Sequence, residues 1–163
     1  MIKNLRKPYG KIIVRRLSGL KDYFTEAKAV RRILSRSDPI IYQVYEQDVP
    51  KKGAHLICAT TVLYPGKIGS EFYFTKGHFH YSPDSAEAII GIAGSGLVLL
   101  RDRKKGFESR SLKPQTLVYS QPGQAHRVVN NSKSKLVFLS ICRADIKHDY
   151  ETIIKKGFQR SRR

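Results

Sequence analysis

From position 41 onward the apolar residues of this chain recur at every second place, the period that turns one face of a strand inward and the other outward. The runs 41–46 and 56–63 read this way, and the second closes on the turn signal Pro65-Gly66. Short runs of the same kind follow at 72–75, 79–81, 87–93, 97–101, 107–110, 116–120, 126–130 and 135–143. Turn formers separate them: Gly94-Ser95-Gly96, Lys104-Lys105-Gly106, Lys113-Pro114, Gln121-Pro122-Gly123 and Asn131-Ser132-Lys133-Ser134. Many short strands with turns at such intervals predict an all-β antiparallel sandwich or barrel.

Near the N-terminus the period differs. Val30, Ile33 and Leu34 recur at helical spacing, Thr25 is placed to cap a helix there, and Glu26 suits its positive end. Asp38-Pro39 stops that helix, because proline disfavours helical backbone in the residue before it. A closing helical turn or two is predicted at 149–156. No repeat, linker or compositional break divides the chain, so one domain is expected over 1–163, with a basic tail at about 159–163.

At 163 residues the chain is long enough to bury a sizeable core. Cys58 and Cys142, only two and far apart, exclude a disulfide framework. No apolar run approaches bilayer length, and positions 1–8 lack the features of a signal peptide; the cytoplasm is the expected compartment, with no membrane partner. Charge alters the picture more. Lys plus Arg is 31 against 13 Asp plus Glu, a net +18, and eleven of the basic residues fall within the first 36 positions. Such a balance attracts nucleic acid, anionic membranes or anionic small substrates. Nothing resembling a recognition helix, an RNA-binding aromatic motif or a zinc finger accompanies it. The charge is read as a solvated basic surface, and nucleic acid is not expected as a partner.

Four residues carry candidate chemistry. His78 and His80 stand two apart on a strand and so share a face. Glu87 opens the next apolar run, and His126 begins a later one behind Gln121-Pro122-Gly123. Three imidazoles and a carboxylate suit Fe(II), Mn(II), Ni(II) or Zn(II), and in six-coordinate geometry leave two positions that adjacent substrate oxygens can fill.

The spacing of the whole, His78-x-His80, Glu87 and Gly94, then Pro122-Gly123-x-x-His126-x-x-x-Asn130, resembles the two motifs of the cupin superfamily. That resemblance implies a jelly roll, or double-stranded β-helix, with one metal on its inner face. The six residues between His80 and Glu87 exceed the usual cupin gap of three or four. With that gap, the block 59–80, ATTVLYPGKIGSEFYFTKGHFH, resembles the metal-dependent glucose-6-phosphate isomerases found chiefly in archaea. Val14 to Ser18, Asp38 to Tyr42, Ala144-Asp145, His148-Asp149-Tyr150 and Lys156-Gly157-Phe158 extend the match to roughly 14–158.

The resemblance implies reversible conversion of glucose 6-phosphate and fructose 6-phosphate by metal-assisted proton transfer through an enediolate, in a homodimer. It makes His78, His80, Glu87 and His126 the ligands of one divalent metal per subunit, iron first among those the set suits. It makes Glu87 the proton-transferring base, Thr75, Lys76 and Gly77 the phosphate segment, and Thr61, His148 and Tyr150 residues of the pocket. The 41–45 run, apolar and aromatic, fits an edge strand covered by a partner subunit. Two positions depart from the family: Ile89 and Cys142 stand where it has tyrosines, and Arg143, if it points inward, offers partial replacement at the phosphate. The alternatives are a cupin module that binds sugar phosphate without turnover, an isomerase of a related phosphosugar, or an iron-dependent oxygenase sharing the ligands.

Overall fold

The computed structural model describes residues 10–102 and 106–158. Apart from one 3-10 segment and two short helices, the described chain is built from strands in antiparallel pairs. β1 (Lys11–Arg16), a 3-10 segment (Leu17–Tyr23) and α1 (Ala27–Leu34) precede β2 (Ile40–Glu46) and β3 (Leu56–Leu63). The short strands β4 (Lys67–Ile68), β5 (Glu71–Phe72) and β6 (Phe79–His80) lead to β7 (Glu87–Ala93), β8 (Gly96–Asp102) and β9 (Gly106–Leu112). β10 (Leu117–Ser120), β11 (Ala125–Val129), β12 (Leu136–Arg143), β13 (His148–Asp149) and α2 (Glu151–Lys156) complete it.

One sheet runs β1-β2-β3-β12-β7-β10 and a second β11-β8-β9; β13 pairs with β6, and β4 with β5. A bridge between His78 and His126 ties the β13-β6 pair to the β11 side. The alternation that marks these runs is the burial itself: β7 and β8 both begin by alternating buried and half-buried positions. Between the sheets, Ile41, Leu63, Ile89, Val98, Leu112 and Leu136 form a core with at most 1% exposure each. Leu17 and Leu20, eclipsed three apart in the 3-10 segment, plug into the same core. Asn130, fully buried, donates to the carbonyls of Leu63 and Ser134 and accepts from Ser132, which fixes the turn after β11.

Three expectations change. β1 and the 3-10 segment arise where charged residues mask the pattern. α1 ends at Leu34, short of Asp38, whose carboxylate instead accepts from Ser18. The predicted Thr25 cap is not made: α1 has no side-chain cap hydrogen bond, and just ahead of it Glu71 Oε2 accepts from the backbone amides of Thr25 (2.8 Å) and Glu26 (3.3 Å), while the Glu26 carboxylate turns to Ser70. A carboxylate at the helix's positive end is still what the macrodipole favours, but it comes from β5. The basic tail at 159–163 and residues 104 and 105 of a predicted turn lie outside the described residues. Among those described, no helix is long and apolar enough to cross a membrane.

Candidate metal centre and sugar-phosphate cavity

The pairing of His78 with His126, each amide bonding the other's carbonyl at 3.3 and 3.2 Å, brings both imidazoles to one place. β6 supplies His80 and β7 begins with Glu87 on the opposite sheet. Glu87 Oε2 lies 3.3 Å from Nε2 of His80, 3.3 Å from Nε2 of His126 and 3.9 Å from Nε2 of His78. One donor atom from each of the four falls within 4.8 Å of every other. With ligand bonds of about 2.1 Å, adjacent donors around one ion stand about 3 Å apart and opposite ones about 4.2 Å, so little movement is needed.

The chemistry of the set also fits a cation. His80 Nδ1 meets the Ser85 carbonyl at 3.0 Å; donating there leaves Nε2 as a bare lone pair. Nε2 of His78 and of His80 are buried without a hydrogen bond, an unfavourable state that a metal ion relieves. Burial works to raise the Glu87 carboxyl, but His126, His80 and His78 outweigh it and hold it well below the usual carboxylate range. His78 is held well below the usual imidazole range by burial and then by His126, which keeps its lone pair available.

β13 lays His148 against this centre through its pairing with His80. The His148 ring stands 4.0 Å from that of His78, and the Tyr150 hydroxyl is 3.2 Å from His148 Nδ1. Burial pushes His148 down to about 4, so it is neutral at pH 7. Thr61, Thr75, Lys76, His148 and Tyr150 all line the cavity above His78, Glu87 and His126.

Gly77 is not part of that lining. Its φ of +68° is left-handed, and a Cβ there would lie 2.6 Å from the Phe158 ring and 3.0 Å from the His126 carbonyl. Glycine is therefore required for the 75–77 segment to pack on β11. Thr75 is fixed by Val128, whose amide donates to its Oγ1 at 3.0 Å, leaving the hydroxyl hydrogen for another acceptor. The Lys76 carbonyl accepts from Arg127 Nη2 at 2.8 Å. Arg127, buried, stacks its guanidinium on Phe74 at 4.2 Å and Phe158 at 4.8 Å; burial lowers it to about 10, so it keeps its charge at neutral pH.

Ile89 and Cys142 both face the cavity. Cys142 stands opposite Glu87 in the β12–β7 register, and burial followed by the Glu87 charge pushes its thiol up to about 12, so it remains a donor. Arg143, next along the strand, points the other way: its guanidinium forms a two-pronged pair with Asp145 at 3.0 and 2.6 Å, which removes it as a phosphate ligand. Arg15, Tyr42 and Arg127 are the residues that periodicity alone did not single out. Only the strand pairing of β1 with β2 reveals the first two as neighbours on the cavity wall.

Two facing antiparallel sheets with a three-histidine, one-glutamate cluster define a cupin jelly roll able to hold a divalent metal. Likeness to solved structures supports the fold: an oxalate oxidase aligns at TM-score 0.57 and 16% identity, covering 69% of this chain and 56% of that one. The Lactobacillus farciminis oxalate decarboxylase aligns at TM-score 0.54 and 18% identity, covering 67% of this chain and 30% of that one. Residues 14–162 match the family model described as Glucose-6-phosphate isomerase (GPI). The glucose-6-phosphate isomerase of Thermococcus kodakarensis is 47% identical over 153 residues, 94% of this chain and 80% of that protein. That of Pyrococcus horikoshii is 45% identical over 150 residues, 92% of this chain and 79% of that protein. The chain belongs to the glucose-6-phosphate isomerase family.

Proposed function

We propose that this protein interconverts glucose 6-phosphate and fructose 6-phosphate, steps shared by glycolysis and gluconeogenesis, in the cytoplasm. The observation that carries the reading is the convergence of His78, His80, Glu87 and His126 at the floor of a cavity that also presents Thr61, Thr75 and Lys76. One divalent transition metal held by those four residues, iron first and otherwise manganese, nickel or zinc, supplies Lewis acidity toward the two neighbouring sugar oxygens. Glu87 takes the proton from one of the two reacting carbons and returns it to the other, on one face of the sugar. The Cys142 thiol, opposite Glu87 in the β12–β7 register, helps orient that carboxylate. Thr75 and Lys76 hold the phosphate, Gly77 allowing their segment to pack on β11, while His148 and Tyr150 close over the sugar. The test is a coupled assay of fructose 6-phosphate turnover, run beside oxygen uptake: isomerisation without oxygen consumption supports the reading, and the reverse result replaces it with an oxygenase.

A binding module without turnover is the second reading, and it draws on Ile89 and Cys142, neither of which carries the phenolic hydroxyl that the family has there. Under the isomerase reading, Ile89→Tyr lowers KM for fructose 6-phosphate about fivefold, the worth of one added hydrogen bond of about 1 kcal/mol. Metal content stays as in the wild type. Steady-state kinetics alongside metal analysis checks both.

The chain acts as one domain, since α1 and the 3-10 segment share the core of the sheets. We assign it a homodimer. β2 is not the edge strand that its composition suggests, because it lies between β1 and β3. Among the described residues β1 is one edge of that sheet, the other being β10; its Ile12 and Val14 are 56% and 41% exposed, and such an edge suits a partner subunit. Light scattering is expected to give twice 18.6 kDa at micromolar concentration. A monomer mass throughout contradicts the assignment.

A further inference from the structure

We propose that Arg15 is a substrate-binding residue that takes the phosphate of the sugar phosphate jointly with Lys76, an inference that rests on the isomerase reading above. β1 alternates: Ile12 and Val14 face out, while Ile13 and Arg15 reach the cavity wall. Arg15 stands directly across from Tyr42 in the β1–β2 register. Tyr42 is buried and lines the same cavity as Lys76. The Lys76 ammonium lies 5.4 Å from the Tyr23 ring and 5.5 Å from the Tyr150 ring, and the charge of Arg15 acts on both of those tyrosines. Arg15, Tyr42 and Lys76 thus form one corner of the cavity.

Among the described residues, neither Arg15 nor Lys76 has a carboxylate within ion-pair distance, whereas Lys51, Arg110, Arg143 and Lys155 each have one. The cavity's acids are placed elsewhere. Glu46 lies four residues along β2 from Tyr42, about 13 Å of strand, and is paired with Lys51 at 3.3 Å. Glu87 is enclosed by the three imidazoles. Two uncompensated cations therefore face one end of the cavity, and the carboxylates the other. A hexose 6-phosphate has the matching polarity, with its reacting carbons at one end and a nearly dianionic phosphate at the other. Guanidinium offers a planar fork to two phosphate oxygens, and the lysine adds a point charge.

The test uses the full chain with Arg15→Met and the control Arg15→Lys. In the metal-replete protein, Arg15→Met raises KM for fructose 6-phosphate at least tenfold, about 1.4 kcal/mol, with kcat within twofold of wild type. Arg15→Lys recovers part of that loss. In the chelator-treated protein, calorimetric titration with inorganic phosphate shows affinity at least tenfold weaker for Arg15→Met, which separates the phosphate contact from the metal. Should Arg15→Met fail to fold by circular dichroism, Arg15→Gln carries the same readings. Unchanged KM and unchanged phosphate affinity overturn the proposal, as does a fall in kcat alone. A wild-type protein that binds phosphate through Arg15 yet never turns over fructose 6-phosphate sinks the isomerase reading and leaves the phosphate contact standing.

Discussion

Metal-replete Glu87→Gln protein is expected to turn over fructose 6-phosphate 10²–10⁴ times more slowly than wild type, the usual contribution of a positioned base. The substitution keeps the shape of the side chain and removes its charge and its capacity to hold a proton. Glu87 is 6% exposed, and the imidazoles around it keep it ionised. Such a group is poised to accept a proton only briefly and to pass it on, as a shuttle between neighbouring carbons requires. Binding of a phosphorylated sugar acid largely survives, because Thr75 and Lys76 sit on a different segment from β7. The effect therefore falls on kcat and hardly on KM. Glutamine is a poorer metal ligand, so metal content is measured in the same samples. Full turnover by a metal-replete Glu87→Gln protein rules Glu87 out as the base and favours a hydride shift between the two carbons.

Replacing His80 with Ala abolishes metal retention and, with it, turnover, yet costs the metal-free protein little stability. The two halves of that expectation have one cause. In metal-free protein, removing the ring relieves the buried, unbonded Nε2 of His80, which offsets the lost bond from Nδ1 to the Ser85 carbonyl and the small cavity left behind. With metal, wild type gains about 2.7 kcal/mol at a free concentration a hundred times Kd, which raises the melting temperature by ~5–10 °C. His80→Ala loses that gain. Thermal melting with and without added metal reads both. An equal metal-induced rise in the variant would remove His80 from the ligand set.

Strand periodicity carried most of the architecture because these strands bury one face each. β3 and β7 have the bounds that alternation assigns, 56–63 and 87–93, and the other long strands differ by one or two residues. β1 escaped because Lys11, Arg15 and Arg16 make KIIVRR look polar, although Arg15 faces a cavity rather than bulk solvent. Thr25 does not cap α1, because Glu71, forty-six residues away in the chain, accepts its amide, a contact that local rules cannot see. The metal cluster was legible for a local reason: His78 and His80 share a face by spacing alone. Their meeting with Glu87 and His126 is a product of topology, and the resemblance supplied it before the geometry did. Arg143 shows the limit. Whether it faced the cavity depended on strand parity, and β12 turns Cys142 inward and Arg143 outward.

The central claim, that the His78, His80, Glu87 and His126 cluster holds the metal that makes this cavity an isomerase, is tested most directly by chelation and re-supply. Protein stripped with a chelator is dialysed, loaded separately with iron(II), manganese(II), nickel(II) or zinc(II), and assayed for fructose 6-phosphate turnover with metal content determined in parallel. Stripping is expected to abolish activity, and one ion per chain to restore it, iron among the metals that do so. Full turnover by the stripped protein, with no metal bound, would contradict the account.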